Sequence, residues 1–334
     1  MIDTIYVEEE IKDHPRTKDI CSRFPNARRI GCGRYGEVFN PKAQNFRLQK
    51  LKPALILAKK FKNFVLDVPE NYGIGGSRNY YFSHMLNCIY DCRYCFLQGM
   101  YESAHYVLFV NYEDFEEAID AKISETPAEN TYFFSGYDCD SLALEPISHF
   151  ADHFIPFFEA RPKAWLELRT KSIQVHSLAK RKAVPNVIAA FSLNPKEVAE
   201  ALEHKAPSIE NRLCAMEELA ARGWKLGLRF DPFIYHENFL AHYKRLFETT
   251  FKRLPVSSIH SVSLGLFRLP KEMYERIYKL YPDERLFSGP LEEKKEMVSY
   301  LPEIEKKMSD GIIQLLSQYV PDDILFPCGT LQNC

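Results

Sequence analysis

From residue 79 onward, short apolar runs alternate with longer segments whose apolar residues recur every three or four positions. The runs NYYFSHML (79–86), TYFFSG (131–136), AWLELRT (164–170), VIAAFSL (187–193), KLGLRFDPFI (225–234) and SVSLGLF (261–267) carry the β-branched and aromatic residues expected of strands. Between them the period lengthens to that of a helix. Asn194-Pro195-Lys196-Glu197 reads as a helix start, with Asn194 as N-cap and Pro195 at the first position. Pro207-Ser208 precedes a second helix. There Leu213, Met216, Leu219 and Ala220 keep helical spacing, and Gly223 stands where a C′ glycine belongs.

Repeated strand–helix–strand units imply parallel strands joined by right-handed crossovers. About six such units predict an α/β fold, a partial (β/α)6 TIM-type barrel with N- and C-terminal extensions rather than a closed barrel of eight. Residues 76–270 would form the barrel. Residues 1–75 would form the N-terminal extension; the first 65 are charged and mixed, with a Gly-rich turn at 31–40, and β-like runs stand at 54–57 and 63–68. Residues 271–334 are expected to be a helical extension that caps the substrate site. In barrels of this kind chemistry sits at the C-terminal strand ends. The cysteine-rich stretch 88–95, Cys139, Lys171, Ser192 and Asp231 all fall at or just after such ends.

The chain has 334 residues, 46% of them hydrophobic, which suffices for a large core. A formal net charge of −2 excludes a global positive field for nucleic acid but not a local basic groove. Lys50, Lys52, Lys59, Lys60 and Lys62 are one candidate for such a groove; a solvated face is the plainer reading. The start, MIDTIYVEEEIKDHP, lacks the apolar core of a signal peptide, and no apolar run approaches the roughly 20 residues of a membrane span. A cytoplasmic protein with no membrane partner is expected.

Three of the nine cysteines lie within one stretch, Cys88-Ile-Tyr-Asp-Cys92-Arg-Tyr-Cys95. In a reducing compartment, clustered cysteines point to metal or catalysis rather than disulfides. Two ligand sets fit. Three thiolates can bind three irons of a [4Fe-4S] cluster, which leaves one iron for the amino and carboxylate groups of S-adenosyl-L-methionine. Alternatively the three hold zinc with Cys139 or a His as fourth ligand, in a protein that binds nucleic acid or a partner. Zinc knots usually pair two such hooks, and one is evident here. The C-x3-C-x2-C spacing, with aromatic Tyr94 before the last Cys, resembles the radical S-adenosylmethionine superfamily. Tyr94 is then placed to pack beside the adenine.

The string CRYCFLQ from Cys92 to Gln98 is joined by GYDCDSLALEP, LRTKS, AAFSLNP, KLGLRFDPFIYHENF and, near the start, YVEEEIKDHP. Together they resemble the spore photoproduct lyase family over nearly the whole chain. The resemblance implies an adenosyl radical that attacks a thymine photoproduct in DNA, and a flavodoxin- or ferredoxin-type electron donor. It implies Cys139 as hydrogen donor, Ser141 two residues on as a cofactor-binding residue, and Lys171 close to the cofactor's carboxylate. Ser192 and Asn194 would hydrogen-bond its amino-acid or ribose part, and Asp231 would orient ribose or substrate. Plainer roles stand beside these: a solvated Lys171, a capping Asn194, an ion-paired Asp231. Two departures are visible. The family's Tyr after the third cysteine, part of a Cys–Tyr hydrogen relay, is Phe96 here, so Tyr94 alone would remain for catalysis. Of the family's C-terminal Gly-Arg-Tyr element, Tyr300 is matched but the Arg is not. The same radical chemistry on another substrate is therefore a second expectation. His236-Glu237 reads as a structural loop, and Cys328 and Cys334 as part of a loose tail.

Overall fold

The computed structural model describes residues 2–39, 42, 44–69, 72–76 and 78–328; Cys334 lies outside them. Six parallel strands follow one another around the barrel in chain order: Arg78–Phe82, Thr131–Ser135, Ala164–Thr170, Val187–Ser192, Lys225–Phe233 and Ile259–Leu266. Each coincides with an expected run. Leu66–Asp67 adds an antiparallel edge beside the first, and Leu325–Pro327 adds a parallel strand beside the sixth. The sheet curls into a half-barrel, the partial TIM-type architecture anticipated above.

Alternation along these strands sorts their residues. Phe133, Leu166, Leu168, Ala189, Phe191, Leu228 and Val262 belong to the large apolar cluster shared with the helices, whereas Tyr132, Phe134, Ile188 and Ala190 form a separate cluster with Ile74, partnered by Trp165. Above that second cluster the lumen turns polar. Arg229 donates from Nε to Glu167 Oε1 (3.1 Å) and from Nη2 to Oε2 (2.6 Å), both side chains being fully buried. Its Nη1 and Nη2 also reach the Ser261 carbonyl (3.0 Å) and hydroxyl (2.9 Å). Glu167 Oε1 further accepts from Arg169 Nε (3.2 Å). Burial alone would raise this carboxyl's pKa, but Arg229 and Arg169 outweigh it and hold it below the ordinary range. Gly227 makes room for the arrangement, since a Cβ there would lie 2.6 Å from Arg229 Nη2 and 2.9 Å from the Ala190 Cβ.

Three expectations need correction. The run 79–86 is broken after Phe82. Met85–Leu86 leaves the barrel for a second sheet, ordered Arg28–Cys32, Thr4–Glu8, Leu55–Ala58, Tyr106–Phe109, Met85–Leu86, so that sheet draws on both sides of residue 75. The C-terminal extension holds helices Lys271–Leu280 and Pro302–Leu316, but also the antiparallel strands Leu291–Lys294 and Met297–Tyr300. Cys328 is not in a loose tail. Its N–H donates to the Leu264 carbonyl (2.7 Å), and its thiol is buried.

Helix Ile209–Ala221 begins as expected, with Ser208 Oγ accepting from Asn211 N–H (3.2 Å), and ends before Gly223 at φ +85°. Among the described residues, no helix is long and apolar enough to cross a membrane.

Glu167→Gln should weaken the fold by about 3–5 kcal/mol, because it leaves two guanidinium groups sharing a neutral partner inside the barrel. Urea unfolding monitored by circular dichroism reads this directly; a loss under about 1 kcal/mol would contradict a structural role for the pair.

Candidate active site

The strand ends open onto a cavity of about 500 Å³. Cys88, Cys92, Cys95 and Cys139 line it, and Tyr94, Lys171, Ser192 and Asp231 also face it. Residues dispersed over 144 positions of sequence thus converge, as barrel topology requires.

The cysteine loop is held at several points. Asn87, at φ +68°, turns the chain, and its Nδ2 donates to the carbonyls of Ser103 and His105 (both 2.7 Å). Tyr90 N–H points to Cys88 Sγ (3.4 Å), and Cys95 N–H donates to the Cys92 carbonyl (3.1 Å). Asp91–Cys92 pairs antiparallel with Glu203–His204, and Arg93 N–H adds a bond to the Leu202 carbonyl (2.8 Å). Asp91 itself binds Lys50 and Arg93.

Glu203 is the hub of this arrangement. Its carboxylate accepts from Tyr94 Oη, from Arg212 Nη2 and from Asn194 Nδ2 (3.2 Å), all out of solvent. Arg212 also donates from Nη1 to the Ser192 carbonyl (3.0 Å) and from Nε to the Pro207 carbonyl (3.0 Å). Burial pushes the Glu203 pKa upward, but Arg212 and Lys171 more than reverse it. Neither Glu203 nor Arg212 stood out in the sequence. A signal existed for Arg212, which lies on the apolar face of its helix, one turn before Met216.

These contacts revise two expectations. Asn194 is not a helix cap: the helix begins at Lys196 with no side-chain cap, and Asn194 bonds Tyr94, Glu203 and the Tyr243 hydroxyl (3.0 Å). It does not line the cavity. Nor does Ser141, whose Oγ lies 2.8 Å from Ser135 Oγ. Gly136, at φ +87°, permits that packing, because a Cβ there would sit 2.6 Å from Ser141 Oγ. Tyr94 presents its ring to the cavity but turns its hydroxyl inward to Glu203.

On the loop after the second barrel strand, Asp140 fastens the walls together. Its Oδ1 accepts from Leu142 N–H (3.0 Å), Ala143 N–H (2.9 Å) and Thr170 Oγ1 (2.6 Å), and its Oδ2 from Lys171 N–H (2.6 Å). Lys171 Nζ stands 5.4 Å from the Tyr94 ring centroid, the range of a cation–π contact. Desolvation pulls its pKa down, but Cys92 and Glu203 leave it raised, so it is a cation. Ser192 faces the cavity while its carbonyl is taken by Arg212. Asp231 lies 3.7 Å from Arg268 Nη1, so it is both cavity-facing and ion-paired. Arg268 and Arg169, both cavity-lining, were missed in the sequence.

Cys139 is 5% exposed, and its Sγ lies 4.0 Å from His84 Nδ1. Burial first, then Asp138 and Asp140, push its thiol far above the ordinary range, so it stays an S–H group. His84 stacks on Phe150 at 3.8 Å and 9°, and burial depresses its pKa to about 3. The lysines do not form one basic channel: Lys50 binds Asp91 and Gln98, Lys52 reaches Asp3, Lys59 binds Glu10, and Lys60 lies over the Phe109 and Phe115 rings. Tyr300 is 1% exposed, does not line the cavity, and its hydroxyl accepts from Tyr235 N–H (2.9 Å). His236 bonds His242 (2.8 Å) and the Ile234 carbonyl (3.0 Å), in keeping with a structural loop.

The donor set suits a thiolate-held cluster. Burial raises all three thiols of the loop, Cys92 to about 12, so stable thiolates there need a bound cation. Among the described residues, no three His, Cys, Asp or Glu side chains gather as a shell around a single ion. A cubane asks for something else, one sulfur on each of three irons.

The half-barrel opens on a three-cysteine loop, and the family model that matches this chain makes it a radical S-adenosylmethionine enzyme. The family model for spore photoproduct lyase matches residues 73–302, and the chain belongs to that family. It is 25% identical over 293 residues to spore photoproduct lyase of Bacillus subtilis (strain 168), covering 84% of this chain and 83% of that one. The lyase of Clostridium acetobutylicum is 22% identical over 292 residues, with 86% and 84% covered. A solved spore photoproduct lyase variant with bound AdoMet and dinucleoside spore photoproduct superposes with a TM-score of 0.85 over 98% of both chains at 21% identity.

Two outcomes are expected. Glu203→Gln should lower iron bound per chain after anaerobic reconstitution, by half or more, as the cysteine loop loses its anchor; unchanged iron content would show that the loop holds itself. His84 should also shape acid stability. Its pKa falls from the ordinary 6.5 to about 3 on folding, so the unfolded chain takes up the proton first. Stability should therefore fall by up to about 1.4 kcal/mol per pH unit between pH 6.5 and 3 on this account. His84→Phe should flatten that slope relative to the parent in unfolding titrations; an unaltered slope would refute the assignment.

Proposed function

We propose that this chain is a radical S-adenosylmethionine lyase that reverses a thymine photoproduct in DNA. The observation that carries the reading is that one cavity is faced both by the three-cysteine loop and by the buried thiol of Cys139. Family membership and a relative solved with AdoMet and dinucleoside spore photoproduct support it.

Cys88, Cys92 and Cys95 would hold three irons of a [4Fe-4S] cluster, with the loop clipped to the barrel through Glu203. When bound, the cluster and S-adenosyl-L-methionine supply a 5′-deoxyadenosyl radical. Lys171 offers a cation for the methionyl carboxylate, and a charge-assisted bond of this kind is about twice as strong as a neutral one. The Tyr94 ring offers an apolar face for adenine, and Ser192 and Asp231 offer polar groups for ribose or substrate. Ser141 and Asn194 act from behind, by keeping Ser135, Tyr94 and Glu203 in place.

Cys139 gives a hydrogen atom to the thymine carbon radical that remains when the bridge fragments: its S–H bond breaks, a C–H bond forms, and the sulfur is left as a thiyl radical. The weak S–H bond makes this downhill, and burial keeps the sulfur protonated for it. The electron for each turnover would come from a flavodoxin- or ferredoxin-type protein.

Reconstituted protein with reductant should release 5′-deoxyadenosine and unlinked thymines from DNA carrying the photoproduct. Absence of both with lesion DNA would overturn the assignment. Cys139→Ala should keep the brown absorbance of the holoprotein and divert the product; normal repaired product at the normal rate would exclude Cys139 as donor.

A further inference from the structure

The wall of the cavity beside Cys139 is aromatic in a way the proposed function leaves unused. Tyr137 stands two residues before Cys139 on the same loop, and its side chain is 43% exposed although it lines the cavity. Its ring is 4.5 Å from Tyr81, with 32° between planes, and 5.4 Å from Phe96, at 44°. Tyr81 comes from the first barrel strand, and Phe96 directly follows the last cysteine of the loop. Three rings from three parts of the chain thus form one continuous apolar step, and all three face the cavity.

A large ring left half in solvent forgoes its hydrophobic gain, and Tyr137 has no helix or strand of its own to cover it. Planar ligands stack on such offset rings at little cost in side-chain entropy. We infer that Tyr137, buttressed by Tyr81 and Phe96, is the platform on which a pyrimidine ring of the substrate stacks, and so the residue that sets that ring beside the Cys139 thiol. The inference rests on the proposed function, which supplies a pyrimidine substrate. It adds the surface that receives it. One short loop then delivers both the seat and the hydrogen donor, two residues apart and lining one cavity. Gly136, in the left-handed region at φ +87°, sets the turn that aims both side chains into the same space. The face of Tyr137, not its hydroxyl, carries this role.

The test is a binding titration of dinucleoside spore photoproduct into the reconstituted holoenzyme with S-adenosylmethionine and no reductant. Undamaged thymidine dinucleotide serves as the control. Tyr137→Ala should bind the photoproduct roughly 5- to 100-fold more weakly than the parent, the range for loss of one base–aromatic stack. Tyr137→Leu, which keeps apolar bulk without a ring face, should behave like the alanine variant, and Tyr137→Phe should stay within twofold of the parent. Alanine or leucine variants within twofold of the parent would overturn the platform. So would a phenylalanine variant as weak as alanine, since the hydroxyl would then be the binding group. Failure of the parent itself to bind the photoproduct would overturn the proposed function, and the platform with it. The first two failures leave the parent's binding intact and are thereby distinguished from the third.

Discussion

The carboxylate of Glu203 satisfies three donors from three regions: Tyr94 in the cysteine loop, Asn194 after the fourth barrel strand, and Arg212 on helix Ile209–Ala221. A buried carboxylate without such partners would be costly, and a buried guanidinium likewise. Each group is tolerable only because the others are present, so the whole set is present or absent together. What this secures is position. The backbone of Glu203 pairs with Cys92, which ties the loop of thiols to the same point. The cysteines stand in an irregular loop with little secondary structure of its own, and the ion pair beneath it substitutes for the rigidity a strand would provide.

A second polar layer, lower in the barrel, works on the same principle. Glu167 joins Arg229 to Arg169, and Arg169 reaches the cavity. Above, Asp140 collects four donors from the loop it stands on and from the end of the third strand. The buried carboxylates of Glu167, Glu203 and Asp140 are thus committed to internal donors, while thiols, rings, Lys171, Arg169 and the Asp231–Arg268 pair line the cavity. That division suits chemistry at uncharged radicals. The one thiol proposed to react is kept neutral by burial and by the neighbouring Asp138 and Asp140.

The barrel was legible because each strand, from Ala164–Thr170 to Ile259–Leu266, is a short run rich in apolar residues, and the gaps between strands are long enough for helices. The cysteine loop was legible from spacing. Ser141 and Asn194 were expected to touch the cofactor; a polar side chain near a strand end can turn either way, and here they bond Ser135 and Glu203, partners that no local pattern announces. The partnership of Glu203 with Arg212 spans nine residues but is completed by Tyr94, 109 residues away, and no local pattern announces that. Cys328 was assigned to a frayed tail because Leu325–Pro327 is too short to declare itself a strand. Its pairing with the sixth barrel strand exists only once that strand is in place.

That last strand has a bearing on where the chain can be shortened. Leu325–Pro327 follows every other described element in the chain, yet it completes one side of the sheet and brings Cys328 into the chamber wall. The chamber wall thus depends on residues 230 or more positions away from the cysteine loop in sequence. A chain cut before Leu325 would lose that flank of the sheet and the thiol it carries.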